Sequence, residues 1–135
     1  MSDCIFCKLA TGEIPTRTIA ETQDFRVILD NGPATKGHAL ILPKKHAKDL
    51  FELDEETAAK VLPLAKTIAI KMTRALSCDG VNLVQNNGEA AGQTVPHFHL
   101  HVIPRYKDDN QHILWEPRTM EDEELDKVCA LIAEA

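Results

Sequence analysis

The segment His97-Phe98-His99-Leu100-His101-Val102-Ile103 constrains the fold more than any other part of the sequence. Successive side chains of a β-strand point to opposite faces, so the alternation predicts a strand over residues 97–103. The three imidazoles would then share one face, about 6.5–7 Å between successive members. The opposite face is apolar and belongs in the core.

In other segments the spacing of apolar residues is that of strands or of helices. Three further strands are predicted, over residues 25–29, 38–42 and 81–85. Apolar residues recur at helical spacing after Asp54, the predicted N-cap, and Pro63 inside this run predicts a kink or a break. A last helix is predicted over residues 120–133, with Thr119 as its N-cap and Asp122 completing a capping box. The pattern indicates an α+β fold in a single domain, residues 1–135.

Composition and charge narrow the class of function. The net charge of −6 argues against non-specific nucleic-acid binding, which depends on a basic surface, although a few local donors can still hold a phosphate. No apolar run approaches the roughly 18 residues of a membrane span, and the N-terminus does not resemble a signal peptide. We therefore expect a cytoplasmic protein with no membrane partner.

The row of three histidines indicates a binding or catalytic site, because protonated imidazoles repel one another and neutral ones add little to the stability of a core. Three imidazoles on a straight strand span about 13 Å. One ion needs ligand nitrogens about 2 Å away, so it cannot collect all three from such a strand. An anion site remains, with one neutral histidine as nucleophile and its neighbour as hydrogen-bond donor.

The loop before this strand is rich in hydrogen-bond donors. Asn86-Asn87-Gly88 and Gly92-Gln93-Thr94 offer backbone N–H groups, amides and a hydroxyl, which can hold phosphoryl oxygens.

At the N-terminus, the Cys4-x-x-Cys7 pair is spaced to hold one metal ion, with a redox pair as the alternative. The isolated Cys78 and Cys129 are predicted to be small buried hydrophobic residues.

Residues 97–103 are similar, position by position, to the His-φ-His-φ-His-φ-φ signature of the histidine-triad (HIT) superfamily, where φ is apolar. The resemblance extends to Cys-Ile-Phe-Cys-Lys near the N-terminus, to Ile14-Pro15, Gly37-His38 and Pro43-Lys44-Lys45-His46, and to the segment 86–103. It is strongest to the Hint-like bacterial branch with an N-terminal cysteine pair. It implies the HIT α+β fold, with an antiparallel sheet that extends across a homodimer.

The resemblance also implies a catalytic site. His99 would attack the α-phosphorus of a nucleotide and form a nucleotidyl-histidine, which water then cleaves to release the monophosphate. His101 and His38 would contact the phosphate, and Thr94 would donate a proton towards the leaving group. The implied nucleotide ligands are Ile28 and Asn31 near the base, Asp30 at the ribose hydroxyls, and Asn86, Gly92, Gln93 and Thr94 around the α-phosphate.

For the metal, the resemblance to cysteine-containing members implies a structural Cys2His2 zinc site of Cys4, Cys7, His46 and His97.

The leading function is hydrolysis of adenosine phosphoramidates or related purine nucleotide conjugates. Diadenosine polyphosphate hydrolysis and nucleotidyl transfer use the same His99 chemistry and stay open. Two non-catalytic alternatives are a nucleotide-binding regulatory module and a zinc-binding structural protein. Substrate choice is least constrained, because the C-terminal region around Arg105 and Trp115 departs from the short Hint tail.

Overall fold

A computed structural model of the chain describes residues 3–135. Within them it contains five β-strands, three α-helices and one 3-10 turn, Glu89–Ala91. The strands are β1 Thr18–Glu21, β2 Phe25–Leu29, β3 Ala39–Pro43, β4 Gly80–Val84 and β5 Leu100–Arg105. The helices are α1 Ile5–Thr11, α2 Glu55–Leu76 and α3 Asp122–Ala133.

The five strands form one sheet in the order β1-β2-β3-β5-β4, and every neighbouring pair is antiparallel. The long helix α2 covers one face, where its buried side chains pack on Val27, Ile41 and Val102. The short helix α1 covers part of the other face, where Ala10 packs with Leu40. Because side chains alternate along β5, His101 lies on the α1 face.

The histidine strand begins later than its sequence pattern predicts. β5 starts at Leu100, while His97 lies in a bend whose N–H donates to Val95 O at 2.9 Å. The next N–H, of Phe98, donates to Ala47 O rather than to a neighbouring strand of the sheet. His97 is fully buried, and its Nε2 donates to Pro43 O at 2.9 Å. These contacts separate His97 from the strand that carries His101, so the prediction of one straight strand was wrong.

Two details of the helix predictions differ in the structure. The helix α2 is not broken at Pro63, where the hydrogen bond that proline cannot donate falls on an exposed side and water can satisfy the carbonyl of Ala59. Its predicted N-cap is confirmed, since the Asp54 carboxylate accepts from Thr57 N at 3.0 Å. The helix α3 begins at Asp122 with Glu121 as N-cap, so Thr119 lies outside it.

The surface of the molecule carries several apolar side chains. None of the twelve residues of α3 is buried, and Leu131 and Ile132 on this helix are exposed.

Cys129 is exposed and Cys78 only half-buried, so the prediction that both belong to the core was wrong. Within residues 3–135, no helix combines the length and the apolar character needed to cross a bilayer.

Candidate active site and metal centre

A cavity of about 600 Å³ opens between α1 and the histidine face of the sheet. Its apolar wall comes from Phe6 and Leu9 of α1 and from Ile28 and Leu40 of the neighbouring strands. Its polar wall contains most of the residues predicted to bind a nucleotide: Asp30, Asn31, Asn86, Gly92, Thr94, His99 and His101. The volume lies within the usual range of small-molecule sites, about 300–1,000 Å³.

Gln93 and His38 have different places from the other predicted site residues, since neither lines this cavity. The side-chain amide of Gln93 donates to Lys48 O and Val95 O, and its carbonyl accepts from Gly88 N at 2.8 Å. These bonds hold the loop that carries Gly92 and Thr94. Gly92 has a φ of +92°, a left-handed conformation that favours glycine at this bend.

The proton on His99 is placed by a single hydrogen bond. Its Nδ1 lies 2.7 Å from the main-chain oxygen of His97, and because a carbonyl only accepts, Nδ1 carries the proton. The unprotonated nitrogen of neutral His99 is therefore Nε2. The Phe6 ring packs edge-on against this imidazole, with ring centroids 4.8 Å apart and an interplanar angle of 90°. The side chain is thus held in one orientation with its lone pair available.

The same reasoning fixes the protons on His38 and His101. Ala34 N–H donates to His38 Nδ1 at 2.9 Å, so neutral His38 carries its proton on Nε2. That Nε2–H donates to His101 Nδ1, also at 2.9 Å, which leaves the His101 proton on Nε2. The rings of His99 and His101 lie 5.0 Å apart between centroids. The cavity is therefore lined by an imidazole lone pair and an imidazole N–H, side by side.

Burial keeps the supporting histidines neutral. It lowers the pKa of His101 to about 4, with further lowering by the charges of His99 and His38. It also lowers the pKa of His38, against the opposing effect of the Asp30 carboxylate, whose Oδ2 lies 3.6 Å from His38 Nε2. Asp30, His38 and His101 bring one donor atom each within 4.8 Å, as a metal site would. The proton on His38 Nε2 and the acceptor role of His101 Nδ1 make this group a hydrogen-bonded relay instead.

A second cluster, of Cys4, Cys7, His46 and His97, has the geometry of a metal centre. The distance from Cys4 Sγ to His97 Nδ1 is 3.3 Å, and the distance from Cys7 Sγ to His46 Nδ1 is also 3.3 Å. The two Nδ1 atoms are 3.2 Å apart. Tetrahedral zinc, with bonds of about 2.3 Å to sulfur and 2.0–2.1 Å to nitrogen, requires ligand separations of roughly 3.4–3.8 Å. The four donor atoms are therefore already close to that arrangement.

The hydrogen bonds around this cluster suit a metal better than a purely hydrogen-bonded group. His97 donates Nε2–H to Pro43 O, so its Nδ1 faces the two sulfurs with a lone pair, as histidine ligands of metals do. Burial and the neighbouring Cys4 raise the pKa of the Cys7 thiol to about 11. Both sulfurs lie together because Cys4 caps α1, its Sγ accepting from Cys7 N at 3.3 Å. A metal bound here would displace thiol protons.

Comparison with known proteins identifies the family. A family model described as "HIT domain" matches residues 11–108. The chain belongs to the HIT family. Adenosine 5′-monophosphoramidase hnt1 of Schizosaccharomyces pombe is 44% identical over 106 residues, which are 78% of this chain and 77% of that protein.

Solved structures of HIT proteins confirm the predicted fold. A HIT family protein from Bacillus anthracis is 38% identical and superimposes with a TM-score of 0.90, covering 98% of this chain and 96% of that one. A Zn-bound histidine triad family protein from Mycobacterium smegmatis is 36% identical, with a TM-score of 0.78 and 99% of each chain covered. The α+β architecture with an antiparallel sheet is therefore that of the HIT family.

Sequence reasoning missed the part of this HIT protein that comes from α1. Phe6 and Leu9 line the cavity, but the segment around them was considered only as a carrier of two cysteines. A signal was present, since Phe6, Leu9 and Ala10 have the i, i+3, i+4 spacing of an apolar helix face. Arg17 also lines the cavity as an exposed cation, and no pattern in the sequence marks it.

Proposed function

We propose that this HIT protein hydrolyses purine nucleotide conjugates of the adenosine phosphoramidate type through a nucleotidyl intermediate on His99. The observation that carries the proposal is the hydrogen bond of His99 Nδ1–H to His97 O, which leaves Nε2 as an oriented nucleophile in the cavity. The apolar wall suits a nucleobase, and the Asp30 carboxylate suits ribose hydroxyls. The name of the fission yeast relative, an adenosine 5′-monophosphoramidase, supports this substrate class.

In the first step, His99 Nε2 forms a bond to the α-phosphorus as the bond from phosphorus to the leaving nitrogen breaks. The leaving amine takes a proton, for which the Thr94 hydroxyl at the cavity wall is the proposed donor. The His99 ring becomes cationic when its second nitrogen is substituted, and donation from Nδ1–H to His97 O stabilises that charge. The neutral His101 donates its Nε2–H to a phosphoryl oxygen.

In the second step, water attacks the same phosphorus and the bond to His99 Nε2 breaks. The proton that this water loses returns to the Thr94 oxygen, which gave its own proton to the leaving amine, and the nucleoside monophosphate leaves with the remaining hydroxyl on phosphorus. His99 is neutral again, so the site returns to its starting state. His38 takes no part in bond making, because it lies behind His101 rather than in the cavity wall. Its proposed role is to position the His101 proton.

For the metal, we propose a structural zinc held by Cys4, Cys7, His46 and His97. Their convergent donor atoms support it, and the M. smegmatis neighbour is described as Zn-bound. With four protein ligands the ion would have no open position for water, so it would supply rigidity rather than a nucleophile.

We also propose that the protein is a homodimer. The strand β4 forms an edge of the sheet, and Leu83 on it is exposed. Exposed apolar side chains of α3 and Trp115 offer further surface for a second copy. Light scattering coupled to size-exclusion chromatography tests this, and a mass near 15.0 kDa would contradict it.

The catalytic proposal is tested by following adenosine 5′-monophosphate release from an adenosine phosphoramidate. His99→Asn should lower the rate by roughly a thousandfold or more, since the nucleophile is lost. His112→Asn is the matched control, because this histidine is exposed and should leave the rate unchanged. If the wild type releases no monophosphate, the proposed activity is wrong. If His99→Asn keeps the wild-type rate, the proposed nucleophile is wrong.

A further inference from the structure

The helix α1 belongs to both the metal cluster and the nucleotide cavity. Its cap residue Cys4 and its third residue Cys7 supply the two sulfurs, while Phe6 and Leu9 of the same helix form part of the cavity wall. A helix of seven residues is too short to be stable in isolation, so its position depends on its attachments. Any change at the metal cluster therefore reaches the cavity through this helix.

The attachments of α1 differ between its two ends. Near its C-terminal end, Arg26 Nε donates to Ala10 O at 3.0 Å, and Ala10 is fully buried. At its N-terminal end, the cysteine sulfurs contact His97 and His46 at 3.3 Å. The last turn is thus held by packing and by a guanidinium. The first turn is held by the packing of Phe6 on the buried cluster that contains Ile28 and Leu40, and by the contacts of the two sulfurs at the metal cluster.

The ligand His97 makes a second connection to the nucleophile. Its Nδ1 faces the metal cluster, and its main-chain oxygen accepts from His99 Nδ1–H at 2.7 Å. The Phe6 ring contacts both imidazoles, with centroid distances of 4.8 Å to His99 and 6.1 Å to His97. The orientation of His99 and the shape of the wall beside it therefore depend on groups that the metal would hold in place.

We propose that metal binding at the Cys4-Cys7 cluster and nucleotide binding in the cavity strengthen each other, with Phe6 as the positioning residue that connects them. This inference rests on the proposed function for the identity of the nucleotide and the metal. Coupling between two sites is reciprocal, so the factor by which zinc tightens the nucleotide equals the factor by which the nucleotide tightens zinc. We expect a factor of about ten, within the usual range of such couplings.

The experiment measures both directions of the coupling on the full chain. Calorimetry gives the Kd of adenosine 5′-monophosphate for the zinc-loaded and the metal-stripped protein. Transfer of zinc to a coloured chelator gives the zinc affinity with and without the monophosphate. We expect the monophosphate to bind about tenfold more weakly without zinc, and zinc to be held about tenfold more tightly with the monophosphate.

The substitution Phe6→Leu separates coupling from metal binding, because it keeps all four ligands and removes the ring that contacts His99 and His97. It should retain zinc and bring both factors close to one. Phe51→Leu is the matched control, since this phenylalanine is 87% exposed and lies outside both sites, and it should keep the wild-type factors.

Several results would overturn the inference. If zinc and the monophosphate both bind but neither alters the other, the coupling is absent while the proposed function stands. If zinc-loaded protein does not bind the monophosphate, the proposed function fails as well. Absence of zinc binding would refute the metal centre itself. If stripping the metal unfolds the protein, the chelator measurement on zinc-loaded protein decides whether the two sites are coupled. Zinc that passes to the chelator equally readily with and without the monophosphate would show that there is no coupling.

Discussion

Replacing His38 tests the hydrogen-bonded relay behind the active site. His38 is 6% exposed, and its side chain makes two hydrogen bonds of 2.9 Å, one accepted from Ala34 N–H and one donated to His101 Nδ1. His38→Leu removes both, so the amide of Ala34 and the Nδ1 of His101 lose their partners. The His101 proton is then no longer confined to Nε2.

The expected magnitudes follow from these two bonds. A buried polar group without a partner costs about 1–3 kcal/mol, and because Ala34 and His101 are only half-buried, the lower end applies to each. We therefore expect about 2 kcal/mol of destabilisation. A hydrogen bond to a charged group contributes about 1.5–3 kcal/mol, so an unoriented His101 should lower kcat by roughly 10- to 150-fold. Nucleotide affinity should change much less, since His38 does not line the cavity.

The assay is steady-state hydrolysis of an adenosine phosphoramidate beside urea unfolding of the same preparation. His38→Gln is the informative comparison, because its amide N–H can still donate to His101 Nδ1. We expect this variant to recover most of kcat, although it cannot also satisfy Ala34. A His38→Leu protein that is folded and as active as the wild type would refute the relay.

Three further predictions concern other parts of the molecule. Asp30→Asn should raise KM for ribonucleotide conjugates by about tenfold but leave 2′,3′-dideoxy conjugates unchanged, because a charged acceptor for the ribose is lost; equal effects on both would contradict its place at the ribose. Urea unfolding should show stability falling as the pH drops from 6.5 towards 4, because burial holds the pKa of His101 at about 4 and the unfolded chain takes up that proton first. His101→Gln should make this dependence less steep without abolishing it, because burial also lowers the pKa of His38 and His97, and an unchanged slope would assign the dependence to other groups. Ile41→Ala should cost about 2–5 kcal/mol of unfolding free energy, since Ile41 is fully buried under α2, whereas the exposed Ile132→Ala should cost little.

The sequence predicted those elements whose signals are local. The strand Phe25–Leu29 was predicted with the bounds observed, because its apolar residues end at turn chemistry. Asp54 was correctly identified as the N-cap of α2, since an N-cap acts within one turn. The element β1 was not predicted, because four residues are too few for a clear period. The element α1 was not predicted although Phe6, Leu9 and Ala10 have helical spacing, because one helical turn of apolar residues is a weak signal by itself.

The histidine strand shows where sequence patterns fail. Alternation over residues 97–103 suggested one strand. The side chain of His97 instead contacts Pro43 O and Cys4, which are more than fifty residues away in the sequence. No local pattern contains that information. The cavity wall was predicted better than the strand, because the polar ligands came from the resemblance to the HIT family. Its apolar part from Phe6 and Leu9 depends on how α1 packs and was missed.

The central claim is that His99 forms a covalent bond to phosphorus, and the stereochemical course at the α-phosphorus tests it most directly. A substrate made chiral at that atom, hydrolysed in isotopically labelled water, gives a product whose configuration can be assigned by phosphorus NMR. Two successive in-line displacements, first by His99 and then by water, predict net retention of configuration. Net inversion would mean that water attacks the substrate directly, and it would contradict the nucleotidyl-His99 intermediate.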